Sequence, residues 1–153
     1  DEAANVCPWQ ELPKIYSHFG SRGICLQTLL QSWSQGIDVW GETGMSKLFS
    51  ASNTTVYAGG VKETDQLERI SKLIGVQRPD QVSTSFSHGT RSTSVTAEGQ
   101  ERPIASVDEL ASLPKWRAWL ISSQSRPVLF RIVPWFDTDQ REAIEESIAV
   151  YST

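Results

Sequence analysis

The sequence predicts an α/β fold, and three observations carry that expectation. Helical and strand-like stretches alternate along the first 75 residues. The run at 24–30 (ICLQTLL) is near-continuously apolar, interrupted at Gln27, as in a strand buried on both faces of a parallel sheet. The chain has 153 residues, 39% of them hydrophobic, which suffices for one domain with a core.

Taken in order, 13–20 reads as a short helix with Ile15 and Phe19 on one face, broken by Gly20-Ser21-Arg22-Gly23. The strand at 24–30 follows. A helical stretch with breaks then runs through Trp33, Ile37, Trp40, Met45, Leu48 and Phe49. Residues 54–58 are the next strand, ending at Gly59-Gly60. Residues 64–74 form an amphipathic helix with Leu67, Ile70 and Ile74 on one face and Gly75 as its stop. Parallel strands with right-handed crossovers are expected from this order.

The character changes after Gly75. Nine of the fourteen residues at 83–96 are Ser or Thr, and Val82, Thr84 and Phe86 alternate with Ser83, Ser85 and Ser87. That pattern suits a polar hairpin or interaction loop broken at His88-Gly89. Ser106 and Glu109 have capping-box spacing at the start of a short helix that Pro114 follows. Residues 118–121 and 128–133 are apolar strands joined by Ser123-Gln124-Ser125-Arg126. Asp137, with Gln140 three residues on, caps a final helix whose buried stripe is Ile144, Ile148 and Tyr151. One domain spanning 1–153 is expected, in segments 1–75, 76–100 and 101–153.

The net charge of −4 argues against a general nucleic-acid surface, which needs clustered Lys and Arg. No apolar run reaches the roughly 18 residues of a membrane span, and no signal-peptide pattern opens the chain. A cytoplasmic or cytoplasm-facing location follows as the expectation. Cys7 and Cys25 build no disulfide framework, though a bond between them stays open; Cys25 reads as a small buried hydrophobe. With the two histidines they make no zinc pattern. The six tryptophans suit core packing or a subunit contact.

The residues with chemical potential lie near the start. Asp1-Glu2 is an acidic pair: one carboxylate suits a magnesium shell and the other suits orienting an attacking water. At a chain terminus the same pair also reads as two solvated charges. Gln31 sits at the end of the expected strand 24–30, whose parallel neighbour would end at Asp1. Carboxyl ends of adjacent parallel strands share a ligand-binding edge. A neutral amide there can contact both water and phosphate; alternatively Gln31 and Gln35 cap the next helix. Arg22, at the opposite end of that strand, suits an arginine finger toward a neighbouring subunit or a plain surface turn. No GxxxxGK[ST] phosphate loop is present.

The segments DEAAN, LLQSWSQ, VYAGGVKETDQLERISKLIG and ERPIASVDELASLPKWRAWLISSQSRPVLFRIVPWF resemble, in that order, the C-terminal part of TraG/TraD-type coupling proteins. The resemblance runs from Asp1 to about Phe136. It implies a partial RecA-like P-loop NTPase sheet with flanking helices, followed by C-terminal β-hairpins and a terminal helix. Segment 1–75 then corresponds to the C-terminal half of the ATPase core. The family implies a membrane-anchored hexameric motor on the cytoplasmic face, using ATP and Mg to bring DNA and its relaxosome to a type IV secretion channel. Asp1 and Glu2 take the Walker B position, with Asp1 at the metal. Gln31 takes the sensor position, with Gln31 and Gln35 as nucleotide contacts, and Arg22 takes the finger. The segment alone is expected to be soluble, to bind no nucleotide, and to touch no membrane. Without a central strand, its sheet is expected to associate or to alter its strand order. A protein-interaction module for relaxosome or secretion substrates is the alternative, and a stand-alone flavodoxin-like domain is a third reading.

Overall fold

A computed structural model describes residues 3–78, 81–87, 90–96 and 101–151. The chain runs α1 (Ala3–Val6), α2 (Leu12–Ser21), α3 (Trp33–Ala51), β1 (Thr54–Tyr57), α4 (Thr64–Ile74), β2 (Val76–Gln77), β3 (Gln81–Ser87) and β4 (Thr90–Thr96). It continues through β5 (Arg102–Pro103), α5 (Val107–Ala111), β6 (Arg117–Ser122), β7 (Val128–Arg131), a 3-10 turn (Trp135–Asp137) and α6 (Arg141–Tyr151).

Local chemistry accounts for most boundaries. Pro13 sits in the first turn of α2, where a missing N–H costs nothing. Ser32 opens α3 from an extended conformation, and its Oγ accepts from Gln35 N–H at 3.2 Å. The expected break in α3 is at Gly41, whose φ of 68° and ψ of 168° are open only to glycine without strain. In α5, Ser106 N–H donates to Glu109 Oε2 at 2.8 Å, completing the capping box.

The main sheet has the order β1-β6-β7, with both pairs antiparallel. Tyr57 lies opposite Trp119, and Ala118 opposite Phe130. Two further antiparallel pairs are β2-β5 and the Ser/Thr-rich β3-β4. His88 and Gly89, between β3 and β4, lie outside the described residues.

Two apolar clusters form among the described residues. In one, Leu67, Ile70 and Ile74 of α4 pack with Tyr57, Ala105 and the fully buried Leu110. Tyr57 Oη donates to Leu110 O at 3.0 Å, and burial pushes its phenol pKa up. In the other, Leu12 of α2 packs with Trp40, Met45 and Leu48 of α3. Each fully buried aliphatic side chain contributes about 1.5–3 kcal/mol.

Several expectations are corrected. Residues 24–30 are an extended connection without a strand, because no partner pairs with them among the described residues. Ile24, Leu26 and Leu29 are consequently exposed, and so is Cys25. Cys7 and Cys25 are both free thiols. The described strand pairs are antiparallel rather than parallel. Asp137 belongs to the 3-10 turn, and α6 begins at Arg141, beyond its capping reach. The stripe on α6 is not buried: Ile144 is half-buried, while Ile148 and Tyr151 are exposed.

Candidate functional site

The connection 23–32 and the start of α3 form the site that the sequence singles out. Asp1 and Glu2 themselves lie outside the described residues. The next residue, Ala3, donates its backbone N–H to Leu29 O at 2.9 Å. The segment following the acidic pair therefore runs beside the segment that leads into Gln31. Tyr16 Oη and Thr28 Oγ1 share a hydrogen bond of 3.3 Å, which holds the same connection against α2.

Gln31 is exposed and immediately precedes Ser32, the cap of α3. Gln35, one turn into the helix, donates from Nε2 to Gln31 Oε1 at 3.4 Å. The two glutamines are thus brought together, and Gln35 Oε1 is buried without a hydrogen-bond partner among the described residues. Ser32, and not either glutamine, provides the cap.

The first amides of α3 are committed to a residue that sequence reasoning passed over. Glu63 lies thirty residues downstream, at the N-cap of α4. Its Oε2 accepts from Trp33 N–H at 2.9 Å, and its Oε1 accepts from Ser34 N–H at 3.1 Å. Burial opposes its charge, yet hydrogen bonds from the Ser34 side chain and from the Ser34 and Trp33 amides outweigh this. They hold the carboxyl below the usual glutamate range. A carboxylate also complements the positive end of the helix dipole. The same joint carries Arg69 of α4, whose guanidinium lies 4.5 Å from the Trp33 ring centroid and 6.0 Å from that of Phe49. Trp33 and Phe49 meet edge to face at 5.5 Å. The only local signal for Glu63 was an acid at a helix start; its partner helix is far away in sequence.

Arg22 closes α2 at the other end of the connection. It borders a shallow depression of about 340 Å3 with Ile15, His18, Phe19 and Ile24. No hydrogen bond or ion pair joins Arg22 to Gln31 among the described residues. No cluster of three or more His, Cys, Asp or Glu suited to a metal occurs among the described residues. The glutamine pair offers carboxamides fit for hydrogen bonds to a phosphate or its water.

The family model for the TraM recognition site of TraD and TraG matches residues 1–115. The chain belongs to the TraD/TraG family. Solved structures agree on the fold. The unbound monoclinic form of the bacterial conjugative coupling protein TrwBdeltaN70 superposes with a TM-score of 0.63 at 20% identity, over 87% of this chain and 30% of that one. TrwB with the non-hydrolysable GTP analogue GDPNP gives 0.64 at 19%, over 87% and 29%. TrwB with ADP and Mg2+ gives 0.62 at 19%, over the same shares. This TraD/TraG chain therefore has a mixed α/β fold matching part of the TrwB coupling protein, and it spans about a third of the TrwB chains' length. No curated protein matches it. No helix among the described residues is long and apolar enough to cross a membrane.

Proposed function

We propose that this chain is the C-terminal segment of a DNA-translocating coupling ATPase, which links the relaxosome and its DNA to a type IV secretion channel during conjugation. The observation that carries this reading furthest is the backbone bond between Ala3 and Leu29, which sets the segment following the acidic pair beside the one that leads into Gln31. The family match and the likeness to nucleotide-bound TrwB support it.

In this reading Asp1 would hold Mg at the Walker B position, Glu2 would polarise the attacking water, and Gln31 would bridge that water and the terminal phosphate, steadied by Gln35. Bound Mg-ATP supplies a transferable phosphoryl group with part of its charge neutralised. The opening amides of α3 are already taken by Glu63 and Ser32. Phosphate sensing thus rests on the Gln31 carboxamide rather than on the helix N-terminus. Arg22 lies at the far end of the connection, which suits a finger toward the next subunit of a hexamer. The motor as a whole would be anchored at the cytoplasmic face of the membrane by parts outside this segment.

The test is Gln31→Ala in the full-length protein. The expected result is an ATPase rate reduced about 100-fold with nucleotide affinity retained. An unchanged rate would refute the sensor role.

A second reading is favoured by the family's description as a TraM recognition site. Here the segment docks a relaxosome protein and takes no part in catalysis. Titrating the chain with a purified TraM-class protein checks it: saturable binding that survives Gln31→Ala supports docking, and no binding removes it.

A further inference from the structure

We infer that the end of the β6-β7 hairpin is a docking site for a short extended acidic segment of a partner protein. This surface lies at 115–136; apart from Lys115, its residues follow the 1–115 that the TraM-recognition model matches, and the inference is independent of the sensor role of Gln31.

Arg117 and Arg131 face each other directly across β6 and β7. Like charges so placed weaken a sheet pair. Both arginines are exposed, and neither is ion-paired among the described residues. Two arginines opposite each other on a strand pair can take a carboxylate between them.

Beside them the backbone is strained. Trp116 has a φ of 67°, a left-handed conformation rare for a bulky residue. Arg117 N–H donates to Pro114 O at 3.1 Å, and Ile132 N–H donates to Trp116 O at 2.8 Å, which fixes that turn. The turn sets the indole against Phe136, with centroids 6.0 Å apart and planes at 80°. Phe136 in turn meets Trp135 at 5.8 Å and 78°. The rings remain exposed, at 38% for Trp116, 43% for Trp135 and 42% for Phe136. Lys115 Nζ lies 4.9 Å from the Trp116 ring centroid. Strain that leaves large rings exposed marks a clamp for a ligand more than a packing solution.

The third element is the open edge. β7 is the outer strand of the sheet, and Val128 and Leu129 on it are exposed. An extended peptide can pair with such an edge through its backbone.

The chemistry favours a peptide over nucleic acid. The rings stand nearly perpendicular, making a walled notch for one apolar side chain and not a parallel platform for successive bases. Three cations, Lys115, Arg117 and Arg131, are too few to track a phosphate backbone on a chain of net charge −4, yet they match one or two carboxylates. The occupant is therefore a strand-forming segment that alternates acidic and apolar residues.

The test uses fluorescence anisotropy on the intact coupling protein in 150 mM salt, a choice near physiological ionic strength. The probes are a fluorescein-labelled decamer of alternating Glu and Leu, its alternating Lys and Leu counterpart, and an oligo-dT. Two variants spare the fold. Arg117→Glu turns the repelling pair into an attractive one. Trp116→Gly suits the left-handed backbone while removing the ring. The expected result is that the Glu-Leu peptide binds the parent in preference to the Lys-Leu peptide. Each variant should weaken that binding about tenfold or more with thermal stability kept. Either variant binding the Glu-Leu peptide as the parent does would overturn the proposal. So would a parent that ignores this peptide, which would mean that the rest of the protein covers the edge. Loss of oligo-dT binding in Arg117→Glu with the peptide unaffected would assign the patch to nucleic acid instead.

Discussion

Removing the carboxylate of Glu63 should loosen the start of α3 and, with it, the position of Gln31. Glu63→Ala leaves the Trp33 and Ser34 amides without their acceptor. Hydrogen bonds to charged groups contribute about 1.5–3 kcal/mol each when the partner is fully buried. Here Ser34 is exposed and Trp33 half-buried, so water replaces much of what is lost. The loss then compares with that of an N-cap, about 0.5–2 kcal/mol, plus about 0.3–1 kcal/mol of charge–dipole attraction. A total near 1–2 kcal/mol is expected, or about 3–6 °C in melting temperature for a chain of this size.

The pH dependence separates this from a generic packing defect. The folded-state pKa of Glu63 is depressed, so its contribution is present above the unfolded value of about 4.3 and is lost as pH falls through the folded value. Urea denaturation of parent and Glu63→Gln at pH 7 should show the parent ahead. The gap should close as the pH is lowered below about 4.3, where both side chains become neutral. A gap that persists unchanged at acid pH, or a Glu63→Ala variant within about 0.3 kcal/mol of the parent at pH 7, would refute the reasoning. Arg69→Ala combined with Glu63→Ala should be non-additive, since both residues act on Trp33.

Other sites give sharper tests of the fold. Gly41→Ala places a Cβ at a backbone angle open to glycine alone and should cost about 1–3 kcal/mol by urea denaturation. Leu110→Ala empties a fully buried position and should cost about 2–5 kcal/mol. Tyr57→Phe removes the hydroxyl donor to the Leu110 carbonyl, which still accepts from Leu113 N–H at 3.3 Å, and should cost about 0.5–1.5 kcal/mol, measured the same way. Cys7 and Cys25 are both exposed and free, so both should react with a thiol reagent in the folded protein without denaturant.

What the sequence made legible was local. The apolar spacing of Leu67, Ile70 and Ile74 marked α4 to its ends, because helix period and burial there agree with Gly75 as the stop. The Ser106–Glu109 capping box and the turn at 123–126 were equally plain, since each closes within a few residues. Misreadings arose where an element depends on a distant surface. Residues 24–30 carry a strand-like apolar pattern, but a strand exists only when another backbone pairs with it, and that partner is not among the described residues. Hydrophobic order in α6 likewise reports what a face could bury, not what covers it. The antiparallel pairing of Thr54 with Ser122 spans a separation that no local motif encodes.

The same physics explains why the candidate site was only half visible. Gln31 and Gln35 are four residues apart and were found together, as helix geometry dictates. Glu63 was missed because its function is set by contact with amides thirty residues earlier. That contact nonetheless anchors Trp33 and Ser34, which lie between the two glutamines. It links the α3 cluster around Trp40 and Met45 to the α4 cluster around Ile70 and Leu110 through hydrogen bonds and one cation–π pair. A joint of this kind can be broken and remade at far lower cost than either apolar core, so any movement between the two clusters should be concentrated there.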